Sequence, residues 1–77
     1  MNQQDRWKRL ELLLTSALHA EEQRLPPHDA EVIREYICNR EYGLAYDHFK
    51  YALEAENIAA AKEAEVALQA AADLMNP

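Results

Sequence analysis

Leu25-Pro26-Pro27 is the strongest constraint on how this 77-residue chain folds. Proline has no backbone N–H to continue a helix, and it pushes the residue before it out of helical geometry, so a helix entering from the N-terminal side ends near Leu25. Upstream, Trp7, Leu10, Leu13, Leu14, Ala17 and Leu18 recur at spacings of three and four. That is the stripe of an amphipathic helix running from about Gln3 to Gln23. Downstream, the second proline suits a first helical position, Asp29 is placed as a capping carboxylate, and Glu31 brings negative charge to the positive end of a new helix.

The second helix is expected from about Asp29 to Asn39, with Val32, Ile33, Tyr36 and Ile37 inward and Glu31, Arg34, Glu35 and Cys38 outward. Asn39-Arg40-Glu41-Tyr42-Gly43 holds the only glycine of the chain and interrupts the periodicity, which predicts a tight connection between helices. A third helix follows from Tyr42 or Gly43 to Glu56. Leu44, Ala45, His48, Phe49 and Ala52 share its core face, with Tyr42 and Leu53 at the edge, and Tyr46, Asp47, Lys50, Tyr51 and Glu54 lie opposite. Glu56-Asn57-Ile58 reads as a helix stop, because Asn tolerates the left-handed conformation and Ile58 can pack back as an anchor. An alanine-rich helix, Ala59 to Leu74, closes the chain, either separate from the third or continuing it. The expected fold is a single all-α domain over residues 1–77, a compact antiparallel bundle of three to four helices.

Charge limits the functions open to such a domain. Eight Lys and Arg stand against fourteen Asp and Glu, a formal net charge of −6, which disfavours phosphate-neutralising roles such as direct nucleic-acid binding or attachment to an anionic membrane. The excess is not uniform. Residues 1–25 hold four bases and four acids, whereas residues 26–77 hold four bases and ten acids. Cys38 is the only cysteine, so no internal disulfide forms and a reducing, cytoplasmic setting is expected. Arg6, Lys8 and Arg9 ahead of Leu10–Leu18 resemble the start of a secretory signal, but Asp5 and Glu11 interrupt it and the leucines keep helical spacing. No segment has the length of a membrane span.

Catalysis requires convergent groups, and here they are scattered. His19 and Glu22, at i and i+3, form half of a metal site without further ligands, so no metal and no cofactor are expected. His28 adjoins the prolines as a loop or cap residue. His48 lies on the apolar face of its helix and is read as a buried or half-buried histidine hydrogen-bonded to Tyr or backbone. Cys38 has no neighbouring base that would make it a nucleophile, and Trp7 is read as a core or edge anchor. What remains is a surface: Glu31, Glu35, Glu41, Asp47 and Glu54, with Tyr46, Tyr51 and Tyr42 among them. Tyrosine contributes large contact area at little rotamer entropy, and carboxylates steer a basic partner.

Glu31-Val32-Ile33-Arg34-Glu35-Tyr36-Ile37, followed by Arg40-Glu41-Tyr42-Gly43-Leu44-Ala45-Tyr46-Asp47, resembles the signature of small immunity proteins of the Maf type, relatives of those in contact-dependent growth inhibition systems. Glu41-Tyr42-Gly43-Leu44-Ala45 carries the likeness most closely, and Glu54-Ala55-Glu56-Asn57-Ile58 stands where the family has an acidic turn before its last helix. The likeness spans Glu31 to Ile58. The N-terminal helix lies outside it, and the last helix is richer in alanine than the family's.

The resemblance implies a bacterial cytoplasmic protein that binds and neutralises a cognate toxin domain, a nuclease with an EndoU-type RNase favoured. On that reading Glu35, Glu41, Asp47 and Glu54 meet Lys, Arg or catalytic His of the toxin, and Tyr42, Tyr46 and Tyr51 are aromatic contacts. An adaptor or regulatory subunit that docks through Ala64, Ala67 and Ala71 of the last helix is the alternative, and a small metal-dependent enzyme using His19, Glu22 and another histidine is a third.

Overall fold

A computed structural model describes residues 2–76. It contains four helices, α1 (Gln3–Glu21), α2 (Pro27–Cys38), α3 (Tyr42–Ala55) and α4 (Lys62–Met75), and no strand among the described residues. The all-α bundle is thus the fold, with α3 and α4 as separate helices. Its principal extents are 35 × 24 × 17 Å.

The molecule is two antiparallel hairpins laid together. α2 and α3 pair through a three-residue connection, while α1 and α4 pair across the whole length of the chain. Side-chain bonds at both ends fix the direction of the second pair: Arg6 Nε donates to the Leu74 carbonyl at 2.9 Å, and Glu21 near the other end of α1 reaches Ala61 at the start of α4. Between these ends α1 buries Leu10, Leu14, Ala17 and Leu18, and α4 buries Ala64, Ala67, Leu68 and Ala71. Small alanine side chains let two helix backbones approach closely, which is how a helix with few large apolar residues reaches a packed interface. α2 and α3 add Ile33, Ile37, Phe49, Ala52 and Leu53 to the same core.

Each helix end has a chemical cause. Asn2 caps α1 by accepting the Asp5 N–H at 2.9 Å, and the prolines separate α1 from α2 as expected, with Pro26 at the cap and Pro27 opening the helix. α2 and α3 both end in the same two-bond closure around a left-handed residue. After α2, Arg40 has φ 60°, its N–H reaches the Ile37 carbonyl, and the Glu41 N–H reaches the Tyr36 carbonyl at 2.8 Å. After α3, Asn57 has φ 54°, and the Ile58 N–H reaches the Leu53 carbonyl at 2.8 Å while Ile58 packs on the core.

Several expectations need correction. The left-handed position at the α2–α3 connection is Arg40; Gly43 has ordinary negative φ inside the first turn of α3, with open space where a side chain would lie. Asp29 does not cap α2, because its carboxylate turns to α3. Leu44 is 48% exposed and Tyr42, expected at the edge, is buried at 5%. The core arc of α3 is therefore centred on Ala45, Phe49 and Ala52 with Tyr42 and Leu53 inside it, and Leu44 falls beyond its border.

Candidate functional site

α3 presents the expected surface as a crest with two flanks. Asp47, Tyr51 and Glu54 recur at spacings of three and four and form the outward crest, where Tyr51 is 62% exposed. Tyr46 is half-buried against the core instead of standing opposite it. It borders a groove of about 450 Å³ between α3 and α4, together with Lys50, Glu54, Asn57, Glu65 and Gln69, over a floor that includes Leu53 and Leu68. The groove brings Tyr46 and Glu54 together and adds an ammonium and a third-helix-to-fourth-helix boundary that the sequence reading did not contain.

The opposite flank of α3 is sealed against α2. His48 Nε2 donates to Asp29 Oδ1 at 2.9 Å, and both side chains are mostly buried. The imidazole lies between two phenol rings, with ring centres 6.4 Å from Tyr36 and 5.7 Å from Tyr51. His48 is thus half-buried and hydrogen-bonded, with a carboxylate as its partner in place of the expected tyrosine or backbone. The bond ties the first turn of α2 to the middle of α3, one turn from Tyr51 of the crest.

Glu35 is exposed on α2, turned about 100° from the Tyr36 seam by its position one residue earlier. Glu41 is exposed in the connection, where its backbone serves the α2 closure and its side chain caps nothing. Among the described residues, none of Glu35, Glu41, Asp47 and Glu54 takes part in an ion pair. Tyr42 behaves differently from the other tyrosines named as contacts. Its ring is buried, and its hydroxyl lies 3.5 Å from Glu11 Oε1. Burial pushes its pKa up, as do the Glu11 charge and hydrogen bond, against a lowering by Arg40. Tyr42 therefore supports the connection from inside and offers no ring to a partner. Arg40 packs over Trp7, with its guanidinium carbon 5.6 Å from the ring centre, which ties that connection to α1.

The remaining chemical groups do not converge. His19 Nδ1 is 3.8 Å from Glu22 Oε1, and the other Glu22 oxygen accepts from Arg34 at 3.0 Å. Among the described residues no group of three or more His, Cys, Asp or Glu is arranged to hold a metal ion. Cys38 is exposed and unpaired with another cysteine.

One buried carboxylate was not read from the sequence at all. Glu21 is fully buried; its Oε2 accepts the Ala61 N–H at 2.6 Å and its other oxygen is paired with Arg24. Its signal was positional: Leu10, Leu14, Ala17 and Glu21 are successive members of one stripe, so an acid stood where the period demanded a core residue. Ala64, Ala67 and Ala71, the docking residues of the adaptor reading, are buried against the rest of the bundle and are closed to a partner in the folded chain. No helix among the described residues is long and apolar enough to cross a membrane.

Compared with protein-family models, curated proteins and solved structures, the chain matches none.

Proposed function

We propose that this chain is an immunity protein that binds a basic toxin domain and blocks it by occlusion, without catalysis of its own. The observation that carries the reading is the set of exposed carboxylates Glu35, Glu41, Asp47 and Glu54, free of ion pairs among the described residues, of which Asp47 and Glu54 flank the exposed Tyr51 along α3. A carboxylate already paired within its own chain must give up that partner on binding, whereas a free one offers its whole field to an approaching cation. The acidic excess after Leu25 extends that field and accelerates encounter with a basic groove. A nuclease, which must hold polyanionic substrate, presents such a groove.

The two sides of α3 divide the work. Asp47, Tyr51 and Glu54 form a convex crest that enters the toxin, and the groove beside Tyr46 receives a side chain from it. The Asp29–His48 bond and the buried Tyr42 keep α2, the connection and α3 in fixed relation, so that little ordering entropy is lost on association. The site of action is the cytoplasm, where the toxin arrives and Cys38 stays reduced. The motif likeness at Glu41–Ala45 supports the same reading.

Where the neighbouring reading frame encodes a secreted protein with a variable C-terminal domain, co-expression with that domain tests it. Growth should be restored and a stoichiometric complex recovered; continued toxicity with the chain folded and abundant contradicts the proposal.

A further inference from the structure

The groove of about 450 Å³ between α3 and α4 has walls of unlike chemistry over an apolar floor. Leu53 and Leu68, both buried, supply the floor, and the half-buried ring of Tyr46 borders it on the α3 side. Two exposed carboxylates line the groove from different helices, Glu54 from α3 and Glu65 from α4. Gln69 follows Glu65 one turn along the α4 wall. Its amide nitrogen donates to Asp73 Oδ1 at 3.0 Å, which leaves the amide oxygen to accept from a ligand. Lys50 is the one cation among the described lining residues, and neither it nor Glu54 or Glu65 takes part in an ion pair among the described residues.

We propose that this groove is a slot for an arginine side chain, supplied, on the reading of the chain as an inhibitor of a basic toxin, by the toxin domain. Each part of arginine has a counterpart here. Its methylene stem covers Leu53 and Leu68, as long cationic side chains do on apolar surface. Its planar guanidinium is more weakly hydrated than an ammonium and stacks on aromatic rings, which suits the Tyr46 border. Its fork carries five N–H donors, enough for carboxylates on two walls and the Gln69 oxygen at once. Lysine, a compact and strongly hydrated point charge, gains less from such a spread of acceptors. An acidic side chain meets two like charges against Lys50 alone. Lys50 opposes an incoming cation, so its removal should tighten the slot. The assignment makes Glu65 and Gln69 of α4 binding residues beside Tyr46 and Glu54 of α3.

Titration of the isotope-labelled chain with N-acetyl-arginine amide, followed by amide NMR, tests the slot without the toxin. The signals of Tyr46, Leu53 and Gln69 should shift together with a Kd of about 1–10 mM, and N-acetyl-lysine amide should bind about fivefold more weakly. Glu65→Gln should weaken arginine binding about fivefold, and Lys50→Met should strengthen it about twofold. Absence of shifts at these positions overturns the proposal. So does an equal response to the lysine compound or to N-acetyl-glutamate amide, or arginine binding that Glu65→Gln leaves unchanged or Lys50→Met weakens. Because the chain is titrated alone, a missing slot beside restored growth overturns this proposal and not the toxin reading, whereas a slot in a chain that fails to neutralise keeps the site and overturns only that reading.

Discussion

Glu21 and Ala61, forty residues apart, are joined by a 2.6 Å hydrogen bond from the Ala61 backbone N–H to Glu21 Oε2. A helix whose third residue is Glu or Gln satisfies the N–H of its own cap from within. α4 has Ala64 at that position and no side-chain cap, so the buried carboxylate of α1 supplies the acceptor and joins the two halves of the terminal hairpin. Glu21→Ala should cost about 2–3 kcal/mol, since it orphans a buried donor and leaves a void, while the half-exposed Arg24 finds water. Glu21→Gln should cost about 1 kcal/mol, because its amide oxygen still accepts from Ala61. Urea denaturation of the three proteins measures both.

The paired helix closures predict opposite responses to one substitution. Asn57 and Arg40 both have positive φ, where glycine is free of strain. Asn57→Gly should raise stability by a few tenths of a kcal/mol, the small remainder of a strain that Asn already tolerates. Arg40→Gly relieves more strain but loses the guanidinium contact with Trp7, worth about 0.5–1 kcal/mol. Its net effect should be near zero in the native chain and clearly stabilising when made in Trp7→Leu. Thermal melts of the four proteins provide the comparison.

Proline chemistry made the α1–α2 boundary legible, and the tolerance of Asn for the left-handed region made the α3 stop at Asn57 legible. The tight α2–α3 connection is where the break in periodicity placed it, but its left-handed residue, Arg40, carries no local signal of that conformation; the backbone closure onto Ile37 and Tyr36 sets it. Glu21 was legible only through its register, since it continues the Leu10, Leu14 and Ala17 stripe, while a charged side chain ordinarily marks an exposed position. At the candidate surface, exposure of Glu35, Asp47, Tyr51 and Glu54 followed from helical period and that of Glu41 from its place in the connection, but the placement of Tyr42 and Tyr46 did not. Their placement depends on where α1 and α4 cover α3, which the pattern of one helix does not contain.

Asp29 and His48 should show energetic coupling. Their bond crosses from α2 to α3 with both side chains mostly buried, so either alanine substitution should lower stability by about 1 kcal/mol and the double variant by less than the sum. A double-mutant cycle by chemical denaturation yields the coupling, expected at about 0.5–1.5 kcal/mol. Additive losses would show that the pair is structurally adjacent without being energetically joined.

Alkaline pH should weaken the fold through Tyr42. Its folded pKa is raised, by burial first and by the Glu11 carboxylate next, so the folded state binds the phenolic proton more tightly than the unfolded chain does. The resulting stability is fully present below the unfolded value of about 10 and is lost as pH rises from there through the folded pKa. Tyr42→Phe should flatten that alkaline decline without altering the slope near neutral pH. Denaturation midpoints measured across the alkaline range give the result.

Association with the toxin domain is the most direct test of the proposed role. Glu41, Asp47 and Glu54 are exposed and lie outside the core, so Glu41→Lys, Asp47→Lys and Glu54→Lys together should leave the helical spectrum intact. The native chain should associate at a rate that falls steeply with salt, and the triple variant should bind at least about a hundredfold more weakly with most of that salt dependence gone. Native affinity in the triple variant, with an association rate indifferent to salt, would contradict inhibition through the acidic face.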